Sequence, residues 1–168
     1  MNDVHIVYPD GGDVLNLGPI RMRILETGET TDHRLGIGEI TIDPRTVGPP
    51  KHRHAAHDEG FYVVSGTARF TVGEKTYDAP AGTLVMIPPG APHTFANVSD
   101  NPAVLINTFT PDHYIRYFSD LRDLIADGGL PTPEATAGLM SRYATTPAAD
   151  FPEYPNPPLL GSQPEETS

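Results

Sequence analysis

Between residues 4 and 109 the chain is built of short runs in which apolar and polar residues alternate. Ile20, Met22 and Ile24 alternate with Arg21 and Arg23, and Ala68, Phe70 and Val72 alternate with Thr67, Arg69 and Thr71. A period of two sends successive side chains to opposite faces, so each run predicts a strand with one buried face. Gly73 and Glu74 predict a tight hairpin into Lys75, Thr76 and Tyr77. The runs 84–87 and 104–106 are continuously apolar and predict strands covered on both faces. Gly, Pro and Asn punctuate these runs, and no helical period interrupts them. The prediction is an all-β sandwich or barrel.

The period changes at Thr110 and Pro111, which read as a helix start with proline in the first turn. Tyr114, Ile115, Phe118, Leu121 and Ile125 then recur at helical spacing until Gly128 and Gly129 end the segment. Thr132, Pro133 and Glu134 open a second, shorter helix that runs to about Tyr143, with Met140 and Tyr143 as packing residues. Beyond Thr146 come Pro147, Pro152, Pro155, Pro157, Pro158 and Pro164 with little apolar periodicity. That composition predicts an extended arm or a disordered tail, with Phe151, Tyr154, Leu159 and Leu160 available to pack on a partner. The expected division is a barrel over 1–110, a helical extension over 111–146 and a Pro-rich tail over 147–168.

Composition narrows the function classes. At 168 residues and 18.1 kDa the chain makes one domain with a tail. Eleven basic against 22 acidic side chains give a formal charge of −11. Such a surface repels phosphate backbones and anionic lipids, so neither nucleic acid nor a membrane is an expected partner; the same acidity serves solubility. Cysteine is absent, which excludes a disulfide frame, a thiolate metal site and a cysteine nucleophile. No basic N-terminal region precedes an apolar run and no stretch reaches 18 apolar residues, so a cytoplasmic protein is expected. Asn97-Val98-Ser99 matches a glycosylation acceptor, but without a secretion signal the match carries no weight.

Two spaced blocks carry the chemistry. The first reads His52-x-His54-x4-Glu59-x6-Gly66; the second, fifteen residues on, reads Gly82-x5-Pro88-x-Gly90-x2-His93-x3-Asn97. His52 and His54 share a strand face, as do Glu59, Phe61 and Val63 on the next strand. With His93 they make three imidazoles and one carboxylate aimed at one point. A structural zinc site is normally closed, four-coordinate and rich in sulfur. Mixed nitrogen and oxygen donors suit an octahedral divalent ion (Fe, Mn, Ni or Co, with Zn also possible) that keeps positions open for water or substrate. Gly66, Gly82 and Gly90 permit turns, while Pro88 and Pro92 stiffen the approach to His93. A match to the five fixed positions of the second block arises by chance on the order of once in a million starts, so the pattern is not incidental.

On these two blocks, across residues 48–97, the sequence resembles the cupin family. The resemblance implies a small jelly-roll (double-stranded β-helix) barrel with His52, His54, Glu59 and His93 as metal ligands. One position departs from the family pattern: its opening glycine is Thr46 here, with Gly48 close by. The two predicted helices, the Gly-rich break between them and Ser141-Arg142-Tyr143 resemble the C-terminal extension of quercetin 2,3-dioxygenase-like single-domain cupins. That resemblance implies a metal-dependent dioxygenase acting on an aromatic or enol-type small molecule, with Glu59 as both ligand and general base. Phe61, Val63, Phe70 and Phe95 would line an apolar substrate pocket, although core packing explains each of them equally well. A redox-silent cyclase or isomerase, of the polyketide-cyclase kind, would use the same ligands. A binding or sensing module would use the pocket without turnover. A homodimer is expected. His57 shares the parity of Glu59 but falls outside the ligand pattern, and an outer-shell or solvated role is expected. His5, His33 and His113 read as surface residues. Gly36-x-Gly38 lacks the third glycine of a dinucleotide site, and Ser65 lacks a nucleophile-elbow context.

Overall fold

The computed structural model describes residues 4–128 and 132–148, and the expected Pro-rich tail lies outside them beyond Ala148. Strands form where the sequence alternates. In order they are β1 (Asp13–Leu17), β2 (Ile20–Glu26), β3 (Gly36–Ile42), β4 (Thr46–Val47), β5 (His52–His54), β6 (Asp58–Ser65), β7 (Thr67–Val72), β8 (Lys75–Pro80), β9 (Leu84–Ile87), β10 (His93–Asn97) and β11 (Ala103–Thr110). A 3₁₀ turn over Asp112–Tyr114, α1 (Ile115–Gly128), α2 (Pro133–Arg142) and β12 (Thr145–Pro147) complete the chain. The strands make two antiparallel sheets, one in the order β1-β2-β3-β11-β6-β9 and the other β12-β5-β10-β7-β8, with β4 also paired to β10. This is the expected jelly roll. Between the sheets lies a core that includes Met22, Ile42, Phe61, Phe70 and Leu105, all fully buried. Their removal from water is the main force holding the sheets together. No helix among the described residues is long and apolar enough to cross a membrane.

The alternating runs fall where expected. Met22 and Ile24 are buried on β2, and Ala68 and Phe70 on β7. Val72 pairs with Lys75 across the Gly73-Glu74 turn, where Gly73 takes a φ of 58°. The two continuously apolar runs behave differently from expectation. β9 is the last strand of its sheet, and its outward face is uncovered among the described residues, with Leu84 62% and Met86 55% exposed beside Tyr62 and Val64 of β6. β11 lies between β3 and β6, yet it still alternates, with Leu105 and Phe109 buried and Val104 and Ile106 half-buried. Apolarity alone did not distinguish an edge strand from an inner one.

The expected helix start at Thr110 and Pro111 is also displaced. Thr110 ends β11, still paired with Asp58, and α1 begins only at Ile115, after the 3₁₀ turn. The second helix starts as expected, with Thr132 accepting a hydrogen bond from the Ala135 amide at 3.2 Å. Tyr143 donates from its hydroxyl to Asp120 at 2.7 Å, which ties the end of α2 to α1. The extension then returns to the barrel. β12 pairs with β5, setting Thr145 opposite His54 and Pro147 opposite His52, and the Ala148 amide donates to Lys51 O at 2.9 Å. The boundary drawn at residue 147 therefore falls inside a strand.

Gly48 resolves the departure at Thr46. Thr46 is buried in β4 opposite Asn97, a position that accepts a side chain. At Gly48, by contrast, a Cβ would lie 1.8 Å from the Phe95 carbonyl oxygen, because this segment is pressed onto β10. The Thr94 hydroxyl, donating to Pro49 O at 2.6 Å, holds the same contact. Gly48→Ala is expected to cost about 1–3 kcal/mol of stability through this overlap. Chemical denaturation would measure it, and a loss below about 0.5 kcal/mol would show that the segment can move away.

Candidate metal centre

Each of the four residues selected by spacing is placed by strand geometry. His52 and His54 are buried on one face of β5, with Arg53 turned the other way. His93 opens β10 directly opposite His52. Glu59 comes from β6 in the facing sheet. The site thus lies between the two sheets, and one ligand atom from each of the four residues falls within 4.8 Å of the others. The imidazole centroids are 4.5 Å apart for His52 and His93, 4.8 Å for His52 and His54, and 5.1 Å for His54 and His93.

The hydrogen bonds around this cluster decide which nitrogens face inward. His52 Nδ1 is 2.9 Å from Pro50 O, and His93 Nδ1 is 3.0 Å from Ala91 O. A carbonyl can only accept, so both Nδ1 atoms carry their proton. His54 Nδ1 is 2.8 Å from the Thr145 hydroxyl, which itself donates to Tyr143 O at 3.0 Å, so this Nδ1 also donates. In the neutral rings the Nε2 lone pairs are left for the interior. Yet His54 Nε2 and His93 Nε2 sit 3.0 and 2.9 Å from the same atom, Glu59 Oε2. Lone pairs do not approach a carboxylate so closely unless a positive charge, a proton or a cation, lies between them. Three inward nitrogens and an anionic oxygen, each anchored from behind, fit a divalent metal ion.

Comparison with known proteins agrees with this geometry. Residues 38–109 match the family model described as a cupin domain. An uncharacterized protein of Streptomyces coelicolor is 34% identical over 80 residues, which are 48% of this chain and 73% of that protein. The chain belongs to the cupin family. Oxalate decarboxylase OxdC of Bacillus subtilis is 31% identical to this cupin over 80 residues, 45% of this chain but only 20% of that protein. A structure of the Bacillus subtilis oxalate decarboxylase, described by its Mn(II) centres, superposes with a TM-score of 0.54 at 23% identity, over 65% of this chain and 34% of that one. The polyketide cyclase RemF of Streptomyces resistomycificus superposes with a TM-score of 0.58 at 17% identity, over 64% and 80% of the two chains.

Electrostatics in this cupin follow from burial. Burial alone would raise the Glu59 carboxyl, but the hydrogen bonds and charge of His54 and His93 hold it far below the usual carboxylate range. Desolvation, reinforced by the neighbouring His93 and His54, pushes His52 down to about 3 and keeps it neutral. His93 is raised: its burial opposes protonation, but the hydrogen bond and charge of Glu59 outweigh that. His57 lies 3% exposed, with its ring 4.1 Å from that of His54, and burial pushes it down to about 4. It is an outer neighbour of the site and not a solvated residue.

Three residues that build the site were missed by spacing. Asn107 Nδ2 donates to Glu59 Oε1 and to Gly60 O, both at 3.1 Å. It could have been found, since it is the one polar residue on the buried parity of Leu105 and Phe109. Thr145 and Tyr114 carried no signal, because only the folded extension brings them to His54. The Tyr114 ring meets that of His54 edge-on at 4.4 Å. Asn97, the last position of the second block, is structural. Its Nδ2 donates to the Ile42, Asp43 and Asn101 carbonyls, and its Oδ1 accepts from Ser99. Phe61, Phe70 and Phe95 pack ring against ring at 5.1–6.3 Å, and Val63 is wholly buried in the same core. His33 and His113, expected on the surface, are exposed there but not alone: Nδ1 of His33 is 2.9 Å from Asp112 Oδ2, and Nε2 of His113 is 3.3 Å from Arg142 O.

Two outcomes are expected. Thr145→Val removes the acceptor that orients His54 and should weaken metal binding about 10–100-fold, while Thr145→Ser should retain it. Competition with a chromogenic chelator reads this, and unchanged affinity in the valine variant would show that β5 alone orients the ring. The second outcome concerns pH in chelator-treated protein. His52 and His57, with folded values of about 3 and 4, stay neutral where unfolded histidines protonate. The unfolded chain therefore binds more protons, and stability falls as pH drops from about 6.5 to 4, by up to about 1.4 kcal/mol per pH unit for each group. The depressed Glu59 contributes stability above its unfolded value of about 4.5 that is lost at lower pH, so it deepens the fall there. The raised His93 loses its contribution only as pH climbs above 6.5, so it does not offset the loss. A melting temperature level from pH 6.5 to 4.5 would contradict these environments.

Proposed function

We propose that this cupin is a metal-dependent dioxygenase acting on an aromatic or enol-type small molecule. The observation that carries the reading is the donor set: three imidazole nitrogens and one carboxylate oxygen within 4.8 Å, with no thiolate in the chain. Four such donors leave an octahedral ion two positions for exchangeable ligands. A bound ion of this kind supplies Lewis acidity toward a substrate hydroxyl and, where redox-active, an electron route to dioxygen. His52, His54 and His93 hold their lone pairs inward through their Nδ1 anchors. Glu59 offers Oε2 to the interior while Asn107 steadies Oε1. The carboxylate lowers the net positive charge of the site and can receive a hydroxyl proton at Oε2. A homodimer in the cytoplasm belongs to the same reading. The outward row of Tyr62 and Val64 on β6 and Leu84 and Met86 on the edge strand β9 supports a second copy docking there.

A redox-silent cyclase or isomerase is the second reading, supported by the shared fold of RemF and by a donor set that also suits zinc. Oxygen uptake separates the two. Protein loaded in turn with Fe, Mn, Ni and Co is expected to consume oxygen with a flavonol or catechol. Glu59→Gln should keep measurable metal yet lose about 10²–10⁴-fold of the occupancy-corrected rate, the usual contribution of a positioned base. No uptake by any loaded form, together with anaerobic turnover by the zinc form, would transfer the assignment to the cyclase reading.

A further inference from the structure

His57 is buried more deeply than any surface histidine needs to be, and its Nε2 has no hydrogen-bond partner among the described residues. An unsatisfied polar atom in the interior is costly, and native folds rarely keep one without a use. The ring is also packed against three others. It lies 4.1 Å from His54 and 4.7 Å from Tyr114, tilted by 37° and 33°, with Phe109 edge-on at 5.8 Å. Tyr114 touches His54 as well, so His57 and Tyr114 border the same side of the same ligand. The loop that carries His57 is tied to the extension through the Ala55 amide, which donates to Ala144 O at 2.8 Å. An imidazole with an unpartnered Nε2 thus packs against His54, one ring beyond the candidate metal centre.

We propose that His57 is the specificity-determining residue of this site, taking through Nε2 the second oxygen of a substrate whose first oxygen occupies the metal centre. The inference rests on the proposed function and deepens it. A ligand with one oxygen, such as a simple phenol, engages the metal and leaves Nε2 unpaired. One with adjacent oxygens, a catechol or a hydroxyl beside a carbonyl, satisfies both. A site built around a buried hydrogen-bonding atom discriminates strongly against ligands that leave that atom bare. Tyr114 forms the wall behind His57 and sets its ring plane.

The test uses zinc-loaded full-length protein, in which no oxidation intervenes, with 4-nitrocatechol and 4-nitrophenol as chromophoric probes. Metal content is measured on every sample. Wild type should bind the catechol at least tenfold more tightly than the phenol. His57→Phe should keep its zinc and lose that preference, and His57→Gln, which retains a hydrogen-bonding group, should restore part of it. His57→Leu asks the same question if the phenylalanine variant does not fold. Undiminished catechol preference in H57F or H57L overturns the proposal, as does loss of zinc from them, which would make His57 part of the metal-holding set. Wild type that carries zinc and binds neither probe overturns the proposed function itself, and this inference with it. Binding of both probes without preference overturns this inference alone.

Discussion

A buried carboxylate facing three buried imidazoles is the constraint around which this barrel is arranged. Glu59 is 4% exposed, and removing such a charge from water costs several kcal/mol unless it is met by donors. It is met from three directions: His54 and His93 at Oε2 and Asn107 at Oε1. Those partners sit on β5, β10 and β11, so the carboxylate can be satisfied only when both sheets are formed and in register. The same requirement makes the cluster receptive to a divalent cation, which meets the charge of Glu59 and the lone pairs of the rings at once. The contacts that satisfy the buried charge are thus made by the same residues that could hold a cation.

The helical extension belongs to this arrangement and is no appendage. It leaves the barrel at Thr110, one residue past the Phe109–Glu59 pair, and returns as β12 against β5. On the outward path it sets Tyr114 against His54 and His57; on the return it sets Thr145 behind His54. The two helices are fastened to each other between these points, by the Tyr143 hydroxyl and the Arg142 guanidinium on Asp120. One imidazole of the candidate metal centre is thus oriented by a residue 91 positions away in sequence. A change in how the extension packs would be felt first at His54.

Close approach of backbones is what lets the ligands converge. Gly48 brings the segment before β5 onto β10, and Gly90, at a φ of 84°, donates its amide to His54 O at 2.6 Å. The second contact ties the turn before His93 to the strand that carries His54. The glycines and prolines of the two blocks therefore hold His93 and His54 at a fixed separation, a role distinct from ligation.

By itself the sequence determined the strand periodicity, the all-β class, the helical pair and the four residues that the fold gathers into one buried His/Glu cluster. Alternation is a local property that selects a face, and the two spaced blocks carried His52, His54, Glu59 and His93 although the fold sets them on strands of two different sheets. Asn107 was legible on the same grounds, as a polar residue on a buried parity. The tertiary structure alone decided that Leu84–Ile87 is an edge strand, that Thr110 ends a strand before any helix begins, and that Thr145–Pro147 joins the barrel. It also decided that His57 is buried against His54. Each of these depends on which segment lies alongside another, and the free energy that settles it comes from contacts between residues tens of positions apart. A hydrophobic run reads the same whether a neighbour covers it or not, and a threonine after a helix carries no sign that an imidazole will need its oxygen.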